Sequence, residues 1–415
     1  MPAVESMTSP ADGKIRDVKS VTVDPDEGYV ETRSVRQQWI EFILMCLCNV
    51  AWTIDASLLP MFFTEFQVLF HVSQTELSLL STVKGWSAAL FAFPCGFVGE
   101  LLPRPKLVGY GMLFWALGLA VCAGATCFEM LFVGRVLNGV GLGLVQPLLL
   151  SMVADKSPPS KRGTAFGSIF FVGAVCNTLF GLAATRYAAE DIGALAGWRV
   201  SVLLVVILSA SVGLGIMFLV VEPNMEGLAE RRRTQGFLST FSKNLPKVFQ
   251  LFRYPTFVLI LAQGAPGTAP WTVFPFFTQW LELACFTHEE TAVIFACFGW
   301  GASLSNLVSG GLLNFVARRC PDHGPPTIAN FSVAVGIPFL MLVFFVLPRP
   351  SALGEGGPSV VPFAASFFFF GLLAAMCGTL NKKVFADIVP AHIFTYVFAI
   401  DQLIENLLGN FAGLA

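Results

Sequence analysis

Five ionisable residues lie within otherwise apolar stretches: Asp55, Lys84, Arg135, Asp401 and Glu405. A charge in the hydrocarbon of a membrane is expensive and is retained where it faces protein or a water-filled cavity. These five are therefore the candidates for a substrate or proton pathway. At a helical rise of ~1.5 Å per residue, Asp55 and Lys84 lie roughly 11 Å below the outer boundary of their spans, and Arg135 roughly 8 Å. One acid and two bases at one level can bind an anionic head group with a base left over, or pair internally and only lock the helices. Asp401 and Glu405 are spaced i, i+4 and share one helix face. Two carboxylates that close in a low-dielectric medium do not both ionise easily, which is the requirement for a proton site. The same pair suits a cationic head group, or a polar face that lines water or meets another helix.

A membrane must hold these residues. Of 415 residues, 55% are hydrophobic and 13% charged, with mean hydropathy +0.71. Average soluble domains carry about 25% charged residues. Water leaves no way to cover 41 Phe, whereas a bilayer does. The net charge of −2 gives no reason to expect a nucleic-acid partner. Most of the ten cysteines sit in apolar runs and read as small hydrophobes, and no CxxC pair occurs. His71, His288, His323 and His392 are scattered near loops without metal spacing, and no cofactor is implied.

Eleven apolar segments are long enough to span, near 40–62, 77–99, 107–127, 130–154, 163–185, 199–221, 255–281, 290–317, 328–347, 361–381 and 393–414. Each has about the ~20 residues a spanning helix needs. Strands are excluded because nothing alternates. The expectation is an all-α, polytopic helical membrane protein. Residues 1–38 read as a disordered cytoplasmic tail without a signal peptide. With that tail inside, Arg104, Lys106, Lys156, Lys161, Arg162, the basic stretch of 222–254, Arg318, Arg319, Lys382 and Lys383 fall in cytoplasmic turns. Only Arg186, Arg199 and Arg349 fall outside. That asymmetry orients the chain.

The basic stretch 222–254 divides six spans from five, giving a lobe at 39–221, a linker at 222–254 and a second lobe at 255–415. The halves echo each other. Gly96-xxx-Glu100-xxx-Arg104 ends the second span, and Gly310-xxx-Asn314-xxx-Arg318 ends the eighth. Ala154-Asp155-xx-Pro158 follows the fourth span, and Ala386-Asp387-xx-Pro390 follows the tenth. A parallel repeat of six helices is the trace of a two-lobed transporter, so a twelfth helix is expected beyond Ala415.

The stretch from Gly96 through Glu100 to Arg104 and Lys106 resembles the loop signature of the major facilitator superfamily. Arg135 through Gly139, Gly141 and Gly143 to Pro147 resembles its fourth-helix signature. Gly264 to Trp271, Gly336-Ile-Pro338-Phe339 and Phe385-Ala-Asp387-Ile-Val-Pro390 resemble spinster-like transporters of the plant and protist branch. Leu142 and Phe394 stand where that branch often carries an acid and an arginine. The resemblance covers about residues 40–415. It implies proton- or gradient-linked movement of lysophospholipids, sphingoid lipids or related amphiphiles. It also implies a gate in which Glu100 approaches the start of the eleventh helix, with Arg104 and Lys106 paired to acids or head groups.

Gly139, Gly141 and Gly143 allow close helix approach. Pro266 and Pro270, with Gly264, Gly267 and Pro275, mark a helix that bends. The resulting expectation is a secondary transporter, acting as a monomer without cofactor on a small-molecule or lipid-like substrate, with protons and membrane lipids as further partners. The rivals are a carrier of a polar metabolite such as a sugar or organic anion, a membrane acyltransferase, or a transporter-like receptor. The acyltransferase would need a clustered His/Asp or Cys/His set at one face, and none is visible.

Overall fold

A computed structural model describes residues 19–23, 30–187, 190–222, 237–274, 277–320, 323–348, 360–389 and 393–409. Strands β1 (Lys19–Val23) and β2 (Val30–Ser34) form an antiparallel hairpin, pairing Lys19 with Ser34. Helix α1 (Val35–Leu58) follows directly, because the Ser34 hydroxyl accepts the backbone N–H of Gln37 at 3.2 Å and caps it. The tail expected to be structureless to residue 38 is therefore ordered in these parts. The β-branched residues Val21, Thr22, Val23, Val30 and Thr32 favour the extended strands.

The remaining first-half helices are α2 (Phe63–Phe70), α3 (Gln74–Val98), α4 (Arg104–Ala123), α5 (Phe128–Lys156), α6 (Arg162–Arg186) and α7 (Gly197–Leu219). A two-residue pair, β3 (Asp191–Ile192) with β4 (Leu195–Ala196), lies between α6 and α7. The second half holds α8 (Phe237–Leu251), α9 (Pro255–Val273), α10 (Phe277–Leu283) and α11 (His288–Arg319). These are followed by α12 (Gly324–Ala334), α13 (Gly336–Met341), α14 (Val360–Ala374), α15 (Met376–Ile388) and α16 (Phe394–Gly409). Each expected span contains a helix. Among the described residues, eight helical stretches are long and apolar enough to cross a membrane. The other three places are held by α3, by α9 with α10, and by α16, all of which carry more polar or interrupted sequence.

Two further spans are broken. The ninth passes from α12 through α13 into a π-turn at Leu342–Val346, and the tenth is split between α14 and α15. The stretch 222–254 is also more than a basic loop, since its second part folds as α8.

Two helices, the second of each expected half, start alike. Helix α3 starts with a capping box of Ser73 and Glu76, and α11 starts with one of Thr287 and Glu290. In each, the acid accepts the N-cap backbone N–H, at 2.7 and 2.8 Å, while the N-cap hydroxyl accepts the N–H of the acid at 3.3 Å.

Helices α3, α4 and α5 pack together, α7 lies on α4, and α1 lies on α6 and α7. In the other half α11 packs on α14, α12 on α15 and α9 on α16. The halves meet where α6 lies along α11 and where α16 lies on α3 and α5. Close approach around α5 requires glycine. A Cβ added to Gly139 would lie 2.4 Å from the Lys84 carbonyl, and one on Gly143 would lie 2.5 Å from that of Ala88, both on α3. One on Gly141 would lie 2.5 Å from the Gly111 carbonyl on α4.

In the second half the core is aromatic: Phe339 stacks on Phe370 at 4.0 Å and Phe274 meets Phe298 at 4.2 Å. In the Phe run, Phe367 and Phe370 point into this cluster and Phe369 points out.

Candidate functional site

The first-half charges form one buried cluster. Asp55 of α1 accepts from Lys84 of α3 at 3.0 Å through Oδ2, and Lys84 Nζ also donates to the Asp55 carbonyl at 3.3 Å. Through Oδ1, Asp55 accepts from Asn138 of α5 at 3.1 Å and from Arg135 at 3.5 Å. Asp55 and Arg135 are fully buried, and Lys84 is nearly so. One carboxylate thus holds two bases and leaves one positive charge over. Desolvating these groups is costly, and only such multiple pairing offsets it. Asn138, one helical turn after Arg135, belongs to the same cluster and completes the shell of Asp55.

The second-half charges are arranged with the opposite balance. Lys382 of α15 is ion-paired with Oδ2 of Asp401 on α16 and lies 3.7 Å from Oε2 of Glu405. Lys382 and Lys383 were expected in a cytoplasmic turn. Instead α15 continues to Ile388 and both are buried, with Lys383 paired to Asp387 one turn on. A basic doublet after an apolar run reads as a topological anchor unless the acids that neutralise it, contributed by another helix, are known. Two carboxylates here share one lysine, leaving one negative charge over. Glu405 is the accessible member, its side chain 24% exposed against 1% for Asp401. Gly264 of α9 admits it, since a Cβ there would lie 3.1 Å from Oε1. Beside them, the Gln402 amide is buried with neither its nitrogen nor its oxygen partnered among the described residues.

Helix α9 runs through Pro266 and Pro270, whose side chains lie outside the described residues, and gives way to α10 after Val273. Pro275 also lies outside them.

At the end of the bundle where α1 begins, hydrogen bonds join the halves. Tyr396, in the first turn of α16, donates its hydroxyl to Glu100 at 2.7 Å, and Asn244 of α8 donates to the other oxygen at 2.7 Å. Gly96 lets α16 come this close, for a Cβ there would lie 2.8 Å from the Tyr396 ring. The second half repeats the contact. Asn314, the counterpart of Glu100, donates to the Thr164 hydroxyl at 2.9 Å, and Thr164 is the counterpart of Tyr396. Gly310, the counterpart of Gly96, faces Gly163, whose carbonyl lies 2.5 Å from a Cβ added at Gly310.

Equivalent residues also meet each other. Phe166 lies against Phe398 at 6.3 Å, and the Arg162 guanidinium sits 5.1 Å over the Phe394 ring. Arg162 donates to the Ala386 carbonyl at 2.9 Å and lies 3.6 Å from Asp387. A base is thus present at this junction although Phe394 replaces one.

Arg104 is the hub of a second network at the same end. It is bidentate to Glu222, with NH2 to Oε1 at 2.8 Å and Nε to Oε2 at 3.2 Å, and it is ion-paired with Asp155. Beside it, Lys156 of α5 pairs with the buried Glu41 of α1 at 2.6 Å. Lys106 is exposed. Glu41 and Glu222 were missed in the sequence because both sit at span boundaries, where an acid next to bases reads as solvated. Position alone would have flagged Glu222, which follows the sixth span at once.

A family model described as Major Facilitator Superfamily matches residues 42–414. Protein spinster homolog 3 of Mus musculus is 21% identical over 74% of this chain and 62% of its own length. Sugar transport protein 11 of Arabidopsis thaliana is 26% identical over 58% of this chain and 50% of its own. Multidrug resistance protein 3 of Bacillus subtilis is 29% identical over 21% and 17%. These matches span less than two thirds of the relatives' lengths.

Among solved structures, the proton:xylose symporter XylE bound to 6-bromo-6-deoxy-D-glucose has a TM-score of 0.64 at 13% identity, covering 91% of this chain and 88% of that one. The human organic anion transporter MFSD10 (TETRAN) has 0.65 at 15%, covering 91% and 92%. Likeness at such identities shows the fold.

Proposed function

Because this chain belongs to the Major Facilitator Superfamily, an integral multi-pass transporter fold, we propose that it is a secondary carrier of a small organic solute. Its two lobes, 39–221 and 255–415 joined by 222–254, rock about the interface of α3 and α6 with α16 and α11. The observation that carries this reading is the pair of equivalent latches, Glu100 with Tyr396 and Asn314 with Thr164, closing one end of the bundle. A closure built twice from equivalent residues is what a two-fold rocking motion needs in order to break symmetrically. By its basic residues that end is cytoplasmic, so the described state is closed to the cytoplasm.

Inside, the surplus base of the Asp55, Lys84 and Arg135 cluster favours an anionic group on the solute. Glu405, sharing Lys382 with Asp401, carries the coupling proton. The aromatic second half favours an amphiphile of lysophospholipid or sphingoid type with a charged head. A polar metabolite is the second reading, favoured by the unpartnered buried amide of Gln402, which suits the hydroxyls of a sugar, and by the sugar and organic-anion transporters among the similar proteins.

The test is uptake by proteoliposomes under an imposed pH gradient, with lysolipids, sphingoid bases, sugars and organic anions as solutes. Wild type is expected to accumulate one class, and Glu405→Gln is expected to abolish its dependence on the gradient. Unchanged gradient dependence in Glu405→Gln would falsify the coupling assignment. Accumulation of sugars alone overturns the amphiphile.

A further inference from the structure

Helix α8 has two faces. Thr240, Asn244, Val248 and Leu251 are buried against the bundle, and Phe241 packs on Phe97 of α3 at 4.7 Å. The other face is open and mixed, with Ser239, Ser242, Lys243 and Gln250 exposed beside Pro246 and Phe249. Phe249 is 64% exposed, and just beyond the helix Phe252 and Tyr254 are 45% and 44% exposed. Along the helix runs an open groove of about 530 Å³, lined by Phe241, Leu245, Pro246 and Phe249 together with Ser242, Gln250 and Arg253. Lys243 and Arg253 are exposed, and residues 237–254 contain no acid.

The position of α8 selects the occupant. Tyr254 immediately precedes the first residue of α9, so this aromatic and basic face stands where a span enters the bilayer. Tyr and Trp at that level, with an amphipathic helix bearing lysine and arginine, are the chemistry that meets lipid head groups. A water-soluble surface would not leave three aromatic side chains exposed beside two bases that have no ion-pair partner among the described residues.

We propose that α8 binds an anionic phospholipid of the surrounding leaflet, its acyl chain along the groove and its phosphate at Arg253, with Lys243 adding attraction to the anionic surface, and that this braces the Glu100 latch. The route is short, because Asn244 on the inner face of the same helix donates to Glu100, which accepts from Tyr396. Lipid that orders α8 therefore orders the first turn of α16. That this latch is a transport gate rests on the function proposed above, but the lipid site does not, and its test needs no transport.

The full chain is placed in nanodiscs of phosphatidylcholine alone and of phosphatidylcholine with phosphatidylserine, and amide hydrogen exchange is followed. Each basic residue near an anionic surface strengthens binding roughly five-fold, so Lys243 and Arg253 together favour phosphatidylserine by roughly 25-fold. The expected result is exchange slowed at least five-fold in 237–254 and in 394–400 when phosphatidylserine is present. The effect should be lost in Lys243→Gln/Arg253→Gln and retained in Arg253→Lys. All three substitutions are at exposed positions and spare the fold. Equal exchange in the two lipids, protection that survives the double substitution, or protection of 237–254 without 394–400 overturns the proposal. So does protection in phosphatidylcholine that appears only on adding a soluble protein fraction.

Discussion

Replacing Lys382 by Met is the sharpest probe of the second-half cluster. Lys382 is the base that Asp401 and Glu405 share, and Asp401 has one carboxylate oxygen with no hydrogen-bond donor among the described residues. Removing one member of a buried pair leaves an uncompensated charge and costs about 3–5 kcal/mol. The expected thermal shift follows from chain size. At about 2.1 cal/mol/K per residue, 415 residues lose about 1 °C per kcal/mol, so the midpoint falls by about 3–5 °C. Adding Asp401→Asn removes the stranded charge, and the double variant should recover at least about 2 kcal/mol of the loss, an interaction that additive sites do not show. The assay is unfolding of the detergent-solubilised chain, followed by tryptophan fluorescence for the two single variants and the double. A midpoint for Lys382→Met equal to wild type would refute the pairing. So would a double variant whose loss equals the sum of the single losses.

Other outcomes follow from the same geometry. Asp55→Asn strands two bases and should destabilise by about 3–5 kcal/mol, whereas Lys84→Met leaves Asp55 with Arg135 and Asn138 and should cost less; expression and thermal stability decide the order. Gly139→Ala places a Cβ 1.9 Å from the Ser87 hydroxyl, so overpacking of about 1–3 kcal/mol is expected. Gly311→Ala, with nothing within 4 Å, should cost nothing by the same melting measurement. Tyr396→Phe deletes a hydrogen bond to a carboxylate worth about 1.5–3 kcal/mol, shifting the closed-to-open ratio at that end by roughly ten- to a hundred-fold. Spin-label distances between the ends of α3 and α16 should lengthen, and an unchanged distance distribution counts against the latch.

Several features were legible without the fold because they depend on local chemistry. A membrane admits only backbone that satisfies itself, so apolar length alone marked the helices in order. The cost of intramembrane charge singled out Asp55, Lys84, Arg135, Asp401 and Glu405. The spacing of Gly96, Glu100 and Arg104 against Gly310, Asn314 and Arg318 exposed the repeat. What the linear chain withheld was pairing. Lys382 looked like a cytoplasmic anchor until α16 brought Asp401 beside it. Glu41 and Glu222 looked solvated until α5 and α4 supplied Lys156 and Arg104.

Helix α8 was hidden for a related reason. Its stripe of apolar residues is shared between the bundle and the outside, and the basic stretch before it dominated the reading. Residue types and spacing determine which groups a bilayer will not tolerate alone. Only the packing of helices distant in sequence decides what neutralises them, because an ion pair or a latch is made across space by side chains whose separation along the chain carries no record of their contact.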